Sequence, residues 1–325
     1  MERVLVTGGA GYIGSHVVRE LKQKGFEPVL LDDLSSGFKN FVPANSVFAN
    51  LSTADDARQL ERVLKPLRIS SVIHLAGFKY AGVSVQQPLR AFKSNVAGFI
   101  NLLEVMENLG ITRLVNSSSA AVYGQPLSDE LITEDSPLLP LSPYGESKLM
   151  SEQILQSIKI SNPVFTYTNL RYFNVVGSGY SDLFDASKHN LFPIVLDSLA
   201  RGITPQINGV DYPTEDGTCV RDYVHVSDLA RAHVIALEKL LASVELEPSY
   251  NLGSGVGTSV REIMNAAKNV TGIDFHPIEA PRRPGDPARL VASSQKAARD
   301  LAWVNTFTVE EMMESAWKAQ LQRSR

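Results

Sequence analysis

Along the first half of the chain, apolar residues fall in short, nearly continuous runs separated by longer stretches where they recur every third or fourth position. Runs such as VLV, VLL and VIHLA suit parallel strands buried on both faces, because neither face meets water and strict alternation is lost. The longer stretches carry the period of an amphipathic helix. The pattern predicts strands at Arg3–Val6, Pro28–Leu31, Val47–Ala49, Ser71–Leu75, Arg113–Ser117 and Val164–Leu170. Helices are expected near 12–24, 54–65, 88–109 and 144–159. Strands that alternate with helices of this length make βαβ units, so the fold class expected is α/β, with a doubly wound parallel Rossmann sheet.

After about Asn174 the texture changes to Gly, Pro, Ser and Asp, with shorter periodic pieces. A second, smaller α/β domain is expected to begin there. The stretch Arg221 to Leu241 again reads as a strand (DYVHV) followed by a helix, and is assigned back to the first domain. The division is therefore 1–174 plus about 221–251 for the sheet domain, and about 175–220 plus 252–325 for a discontinuous second one. No internal repeat or low-complexity segment is visible.

Composition narrows the function classes. The chain has 325 residues, enough for one large domain or two ordinary ones. Its 44% hydrophobic and 20% charged content is that of a globular protein. A net charge of −4, from 31 Lys and Arg against 35 Asp and Glu, argues against nucleic acid as a partner. No run of 18 or more apolar residues suggests a membrane span, and no secretory signal is visible. The lone Cys219 cannot form an intramolecular disulfide, so a reducing cytoplasm is expected. The histidines lack HExxH spacing and Cys219 lacks a CxxC partner, so no metal site is expected; His225 and His233 are read as structural.

Chemistry begins at TGGAGYIG, residues 7–14, directly after the first strand and opening a helix. Gly8 allows a tight turn, Gly11 close approach of backbone to a pyrophosphate, and Gly14 close packing of helix on strand. Asp32, 18 positions past Gly14 at the end of the second strand, is placed to bind a ribose 2′-hydroxyl. A carboxylate there repels a 2′-phosphate, which favours NAD over NADP. The bland alternative is a glycine turn with no ligand. For the second cluster, GSGVG at 253–257, the bland reading is preferred: with Ser259 and Glu262 at capping-box spacing, it turns the chain into a helix.

Tyr144 and Lys148 stand four apart in SPYGESKL, on one face of a helix. Alone, that spacing is commonplace on an amphipathic surface. It is less easily accidental beside Ser117 to Ser119, which close a strand whose carboxyl end faces the cofactor crevice of such a sheet.

Together TGGAGYIG, HLAG with Lys79, SSSAAVYG (117–124), SPYGESKL (142–149), RYFNVVG (171–177), DYPTEDGTCVRDYVHVSDLA (211–230) and RRPGD (282–286) resemble the extended short-chain dehydrogenase/reductase family, and within it the UDP-hexose 4-epimerases. The similarity spans nearly the whole chain. It implies NAD-dependent C4 epimerisation of UDP-glucose and UDP-galactose through a transient 4-keto sugar. Cofactor contacts are implied at Gly8, Gly11, Tyr12, Ile13, Gly14, Asp32, Asn50, Leu51, Lys79, Asn95, Tyr144, Lys148 and Tyr172. Substrate contacts are implied at Ser119, Tyr144, Asn174, Asn190, Leu191, Arg221, Arg283, Asp286 and Leu290. A homodimer through the helices near 88–109 and 144–159 is also implied.

Beside the resemblance stands a physical argument. A sugar hydroxyl must lose its proton while its carbon gives up a hydride, so the base must be anionic near neutral pH. Lowering a phenol from about 10 to about 7 needs roughly 4 kcal/mol. An ammonium about 5 Å away supplies on the order of 3 kcal/mol at an effective dielectric of about 20. A cationic nicotinamide can add the rest. Tyr144 is therefore read as the base, Lys148 as its electrostatic partner and ribose anchor, and Ser119 as hydrogen-bond partner of the reacting oxygen. Arg221 and Arg283 suit a diphosphate, whose firm grip leaves the sugar free to turn over. Taken singly and without the resemblance, each arginine is more readily a solvated charge or one side of an ion pair.

Some positions depart from the family pattern. Asn50 replaces an aspartate that contacts adenine, the segment between Asn174 and Asn190 is short, and Tyr80 and Val83 replace alanine and glutamate. Leu290 is smaller than the tyrosine that excludes N-acetylated sugars in relatives, which extends the expected range to UDP-N-acetylhexosamines. Two rivals remain: a nucleotide-sugar 4,6-dehydratase or decarboxylase, which would want an acid where Ala120 and Ala121 stand, and a non-catalytic NAD-binding protein, which would not need the Tyr and Lys pair.

Overall fold

Seven of the short apolar runs and their neighbours hydrogen-bond into one sheet, described in a computed structural model that covers residues 1–41, 46–52, 54–126, 128, 130–283 and 286–323. Pro284 and Gly285 of the RRPGD motif lie outside the described residues. The strands are β1 (Arg3–Thr7), β2 (Glu27–Asp32), β3 (Val47–Phe48), β4 (Ser71–His74), β5 (Arg113–Ser119), β6 (Thr166–Tyr172), β7 (Asn174–Val176), β8 (Gln206–Asn208), β9 (Val220–His225), β10 (Ser249–Leu252), β11 (Gly257–Ser259), β12 (Ile278–Ala280) and β13 (Arg289–Leu290). The large sheet runs β10-β6-β5-β4-β1-β2-β3, with parallel pairing at β1–β2, β1–β4, β2–β3 and β4–β5. This is the Rossmann-like α/β arrangement. Strand order reverses between β1 and β4, and in such sheets a crevice opens at that point, outside the carboxyl ends.

Contacts divide the chain into two units: Met1–Gly124, Pro137–Arg171 and Ala230–Tyr250; and Gln125–Ser136, Tyr172–Leu229 and Asn251–Arg325. This differs from the sequence-based division at β9. That strand pairs in parallel with β7 and β13 and antiparallel with β11, so both its edges are satisfied in the second unit. Only the later part of the helix Val226–Leu241, from Ala230, belongs to the first unit. A second difference is Gln125–Ser136, which joins the second unit where Ile132 N–H donates to Val291 O at 2.9 Å.

The helix expected at 88–109 is present over those bounds, with a π-turn inside it and a further short helix before it. Ala81–Gln86 is followed by Pro88–Phe92, a π-turn at Lys93–Ala97, and Gly98–Leu109. Gln87, at φ −130° and ψ 60°, interrupts the first two, and Pro88 then starts a helix at a position where no N–H is needed.

Leu5, Leu31, Val72, Phe99, Leu114 and Leu155 anchor the core of the first unit. Phe192, Tyr223, Ile263 and Met312 anchor that of the second. At 253–257 the loop wraps the buried Asp222 carboxylate, which accepts from Ser254 N–H (2.6 Å), Gly255 N–H (3.1 Å), Ser254 Oγ (2.7 Å) and Ala292 N–H (3.0 Å). Beyond it, Ser259 and Glu262 form a reciprocal capping box on the helix Val260–Thr271. This second glycine cluster therefore encloses an anion that the chain itself supplies.

Candidate active site

The first glycine loop connects β1 to the helix Tyr12–Gln23. Gly8 has φ +72°, and a Cβ there would come 2.7 Å from Ala76 N. At Gly14 a Cβ would fall on the Gly8 carbonyl oxygen, so neither position admits a side chain. Gly11, the N-cap, has no side chain to bond the first helical N–H groups. An uncapped helix start beside glycine backbone is an anion cradle. Tyr12 is buried and Ile13 half-buried on the first turn. The Asp32 carboxylate accepts from Ala10 N–H (2.9 Å) and Leu34 N–H (2.8 Å), which fixes it beside this loop with lone pairs to spare for hydroxyl donors. Burial holds its carboxyl above the ordinary range, opposed by those backbone bonds. The residues present thus fit a dinucleotide.

Opposite the loop, the last residues of β5 meet the helix Pro143–Ser161 in three steps. The Ser119 side chain lies close enough to the Tyr144 phenol to favour its ionised form, and its Oγ accepts from Ala121 N–H at 3.2 Å. The Ser117 carbonyl accepts from Lys148 Nζ at 2.8 Å. Ser118 Oγ donates to Glu152 Oε1 at 2.5 Å. Tyr144, Lys148 and Glu152 thus present three successive turns of one helix face to three successive serines. Glu152 is also gripped by Arg171, from Nε at 3.0 Å and Nη2 at 2.6 Å, and Arg171 donates from Nη1 to Tyr123 Oη at 2.9 Å.

Two further bonds fix the backbone of Tyr144. Its N–H donates to Ser84 Oγ (3.1 Å), and its carbonyl accepts from Ser147 Oγ (2.7 Å). Ser147 accepts in turn from Asn95 Nδ2 at 2.9 Å. Asn95 also pins both polar groups of the Phe78 backbone, at 2.6 and 2.9 Å. It sits in the π-turn, a feature often found at functional sites. Asn95, which the sequence reading gave to the cofactor, thus ties the Phe78 backbone, next to the exposed Lys79, to Ser147 on the helix that carries Tyr144.

Electrostatics follow from burial. Burial raises the Tyr144 phenol above its ordinary value and the Ser119 side chain opposes the rise. Burial pushes Lys148 down to about 8, with Glu152 acting against it. His74, bonded through Nδ1 to Thr7 Oγ1 at 2.7 Å, is pushed down to about 3 by burial and then by Lys148, and so is neutral at pH 7. The sequence-based arithmetic for the phenol omitted this desolvation, which works against the phenolate.

Of the other residues implied for the cofactor, Asn50 and Leu51 bond within the chain. Asn50 Oδ1 accepts from Ser52 N–H at 2.8 Å. The Leu51 side chain lies in the core and its carbonyl accepts from Asn101 at 2.6 Å. Tyr172 is half-buried at the end of β6.

Within the second unit, Arg221 pairs with Asp286 at 2.9 Å, and Leu290 sits opposite Arg221 in the β13–β9 register. With the Asn208 amide oxygen turned toward it, Arg283 donates from Nη2 at 3.1 Å and Nε at 3.2 Å. Asn174 is exposed at the start of β7. Asn190 precedes Leu191 at the start of the helix Leu191–Ala200 and donates to Asp185 Oδ2 at 2.7 Å. His225 and His233 are buried in hydrogen bonds to Ser315 (3.1 Å) and Ser117 (2.8 Å). Among the described residues, no group of three or more His, Cys, Asp or Glu could hold a metal ion, and no helix is long and apolar enough to cross a membrane.

Sequence reasoning did not single out Glu152, Arg171 or Ser84. Glu152 continues the four-residue spacing of Tyr144 and Lys148, which was the available signal. Ser84 and Arg171 come from distant segments and had none.

The sequence profile of the NAD dependent epimerase/dehydratase family matches residues 4–253. UDP-glucose 4-epimerase 4 of Oryza sativa subsp. japonica is 44% identical, over 97% of this chain and 89% of its own length. The crystal structure of a UDP-glucose 4-epimerase from Stenotrophomonas maltophila, with bound NAD and formylated UDP-arabinopyranose, superposes with a TM-score of 0.93 at 37% identity, covering 100% of this chain and 99% of that one. A UDP-Glc/GlcNAc 4-epimerase from Campylobacter jejuni superposes with a TM-score of 0.84 at 34% identity, covering 99% and 100%.

Proposed function

The chain belongs to the NAD dependent epimerase/dehydratase family, and from that premise we propose that it interconverts UDP-glucose and UDP-galactose by inverting carbon 4 through a transient 4-keto sugar. The observation that carries the reading is the Tyr144 phenol beside Ser119 at the carboxyl end of β5, with Lys148 one helical turn on and bonded to the Ser117 carbonyl at 2.8 Å. NAD, when bound, supplies the acceptor and donor of the hydride and a positive ring that favours the phenolate. Tyr144 takes the proton of the 4-hydroxyl and later returns it. Ser119 donates to the phenolate and steadies the reacting oxygen, while Lys148 offsets the negative charge. Arg221 and Arg283 would hold the diphosphate, with Asn174, Asn190 and Leu191 alongside and Asp286 near the nucleotide ribose. For Arg221 that means exchanging its Asp286 partner for phosphate oxygens.

The dehydratase and decarboxylase rivals find no support at Ala120 and Ala121, which follow Ser119 as a 3-10 turn without an acid. Incubation of the pure protein with UDP-galactose and no added NAD is expected to yield UDP-glucose; absence of conversion by protein shown to contain NAD would overturn the reading.

Leu290 favours a second reading, an added capacity for UDP-N-acetylhexosamines. It is half-buried and, in the strand register, beside Arg221. Wild-type protein is expected to turn over UDP-N-acetylglucosamine, and Leu290→Tyr to lose that activity while keeping UDP-glucose turnover.

A homodimer belongs to the same proposal. Ile100 and Met150 are exposed apolar residues on the helices Gly98–Leu109 and Pro143–Ser161, and Val96, Met150, Ile154 and Ile158 line a groove there. A reducing cytoplasm fits the lone, buried Cys219.

A further inference from the structure

Ser117, Ser118 and Ser119 each engage one turn of the same helix, but the proposed chemistry uses only the outer two contacts. The middle one joins Ser118 to Glu152, a carboxylate whose side chain is 7% exposed. A buried charge must be compensated, and Arg171, itself 6% exposed, compensates it through two bonds. An apolar pair could have filled that space without the desolvation cost of two ions. The ion pair also lies where it acts on the catalytic helix, since Glu152 stands one turn beyond Lys148.

We propose that Glu152 is a positioning residue for the reaction: clamped by Ser118 and Arg171, it keeps the Lys148 ammonium charged and in register beneath the Tyr144 phenol. The inference rests on the epimerase reading of Tyr144 and Lys148. The charged and titratable groups that interact with Lys148 are Glu152 on its own helix and His74 from β4, while Tyr144 stands one turn before it. Those that interact with the Glu152 clamp are Arg171 and Tyr167 from β6 and, through Arg171, Tyr123 from the turn after β5. His74 is neutral and Tyr167 is held above its ordinary range, so the acting charges are Glu152 and Arg171. Of these two, Glu152 is the one that favours the ammonium, against the burial that disfavours it.

Replacing that carboxylate by an amide of the same shape removes the charge that favours the Lys148 ammonium in a water-poor interior. Lys148 then releases its proton at lower pH, and with it goes the charge that supports the phenolate. The test is the pH profile of kcat for UDP-galactose conversion by NAD-loaded wild type, Glu152→Gln and Glu152→Asp. In Glu152→Gln the alkaline limb is expected to move down by about one pH unit, with KM within about twofold of wild type. Glu152→Asp keeps the charge, so its limb is expected to stay near that of wild type even where kcat is lower.

A purely structural role would lower kcat in both variants and leave both limbs in place, and that result would overturn the proposal. Failure of Glu152→Gln to fold while Glu152→Asp folds would likewise assign the carboxylate to stability and overturn it. Wild-type turnover with an unmoved limb in Glu152→Gln defeats this inference alone, whereas absence of wild-type turnover at any pH defeats the epimerase reading beneath it.

Discussion

Tyr144→Phe deletes the atom that accepts the sugar proton while leaving the ring, the helix and the Ser84 bond to the backbone N–H in place. The variant is therefore expected to retain NAD and to lose turnover by roughly 10²- to 10⁴-fold, the usual share of a general base. Assaying bound dinucleotide and UDP-glucose formation on the same preparation checks it, and normal turnover would remove Tyr144 from the role. Residues of this kind were legible in the sequence because their constraint is local. Gly8 and Gly14 are demanded by a neighbouring turn, Asp32 by a strand end, and Lys148 by one helical turn. Arg171 was not legible, since only the sheet brings β6 against the helix that carries Glu152. The desolvation that opposes the phenolate was invisible for the same reason: burial is a property of the packed chain.

At the scale of elements, the segment Gly77–Tyr80 owes its place to one side chain in a π-turn. Asn95→Ala would strip partners from the Phe78 N–H and carbonyl and from Ser147. A loss of about 2 to 4 kcal/mol of stability is expected, since each orphaned buried group costs about 1 to 3. Weaker retention of NAD should accompany it, because Lys79 loses its support; thermal unfolding and the NAD content after gel filtration measure the two effects. The strands β1 to β6 were readable to within a few residues, since buried parallel strands write themselves as apolar runs. The helix at 88–109 was readable too, but not the π-turn inside it, nor the helix Ala81–Gln86 before it, which is too short to show a period.

For the whole molecule, two buried histidines set the acid limit. His225 accepts Ser227 N–H at Nδ1 and stacks on Phe307 at 3.8 Å; burial pushes it down to about 4, and His74 to about 3. Because folded values lie below the unfolded value of about 6.5, the unfolded chain binds more protons in between. Stability from these groups is complete above about 6.5 and drains away as pH falls through that window. His225→Gln removes one of them, so its deficit relative to wild type should shrink between pH 7.5 and pH 5. Paired melting curves at the two values test this, and a deficit that grew on acidification would contradict it. The two-unit division was legible only in outline, because the membership of β9 depends on partners far along the chain, at 174–176, 257–259 and 289–290.

The two glycine-rich loops also differ in where their negative charge comes from. Around Asp222 the backbone donors are quenched permanently by a group the ribosome has already installed. At Gly8 to Gly14 the N–H groups of Gly8, Ala10 and Gly11 bond within the chain, and the helix start behind Gly11 is where a diffusible anion would dock. Stripping the dinucleotide should therefore soften the unit that opens the chain and spare the one that closes it.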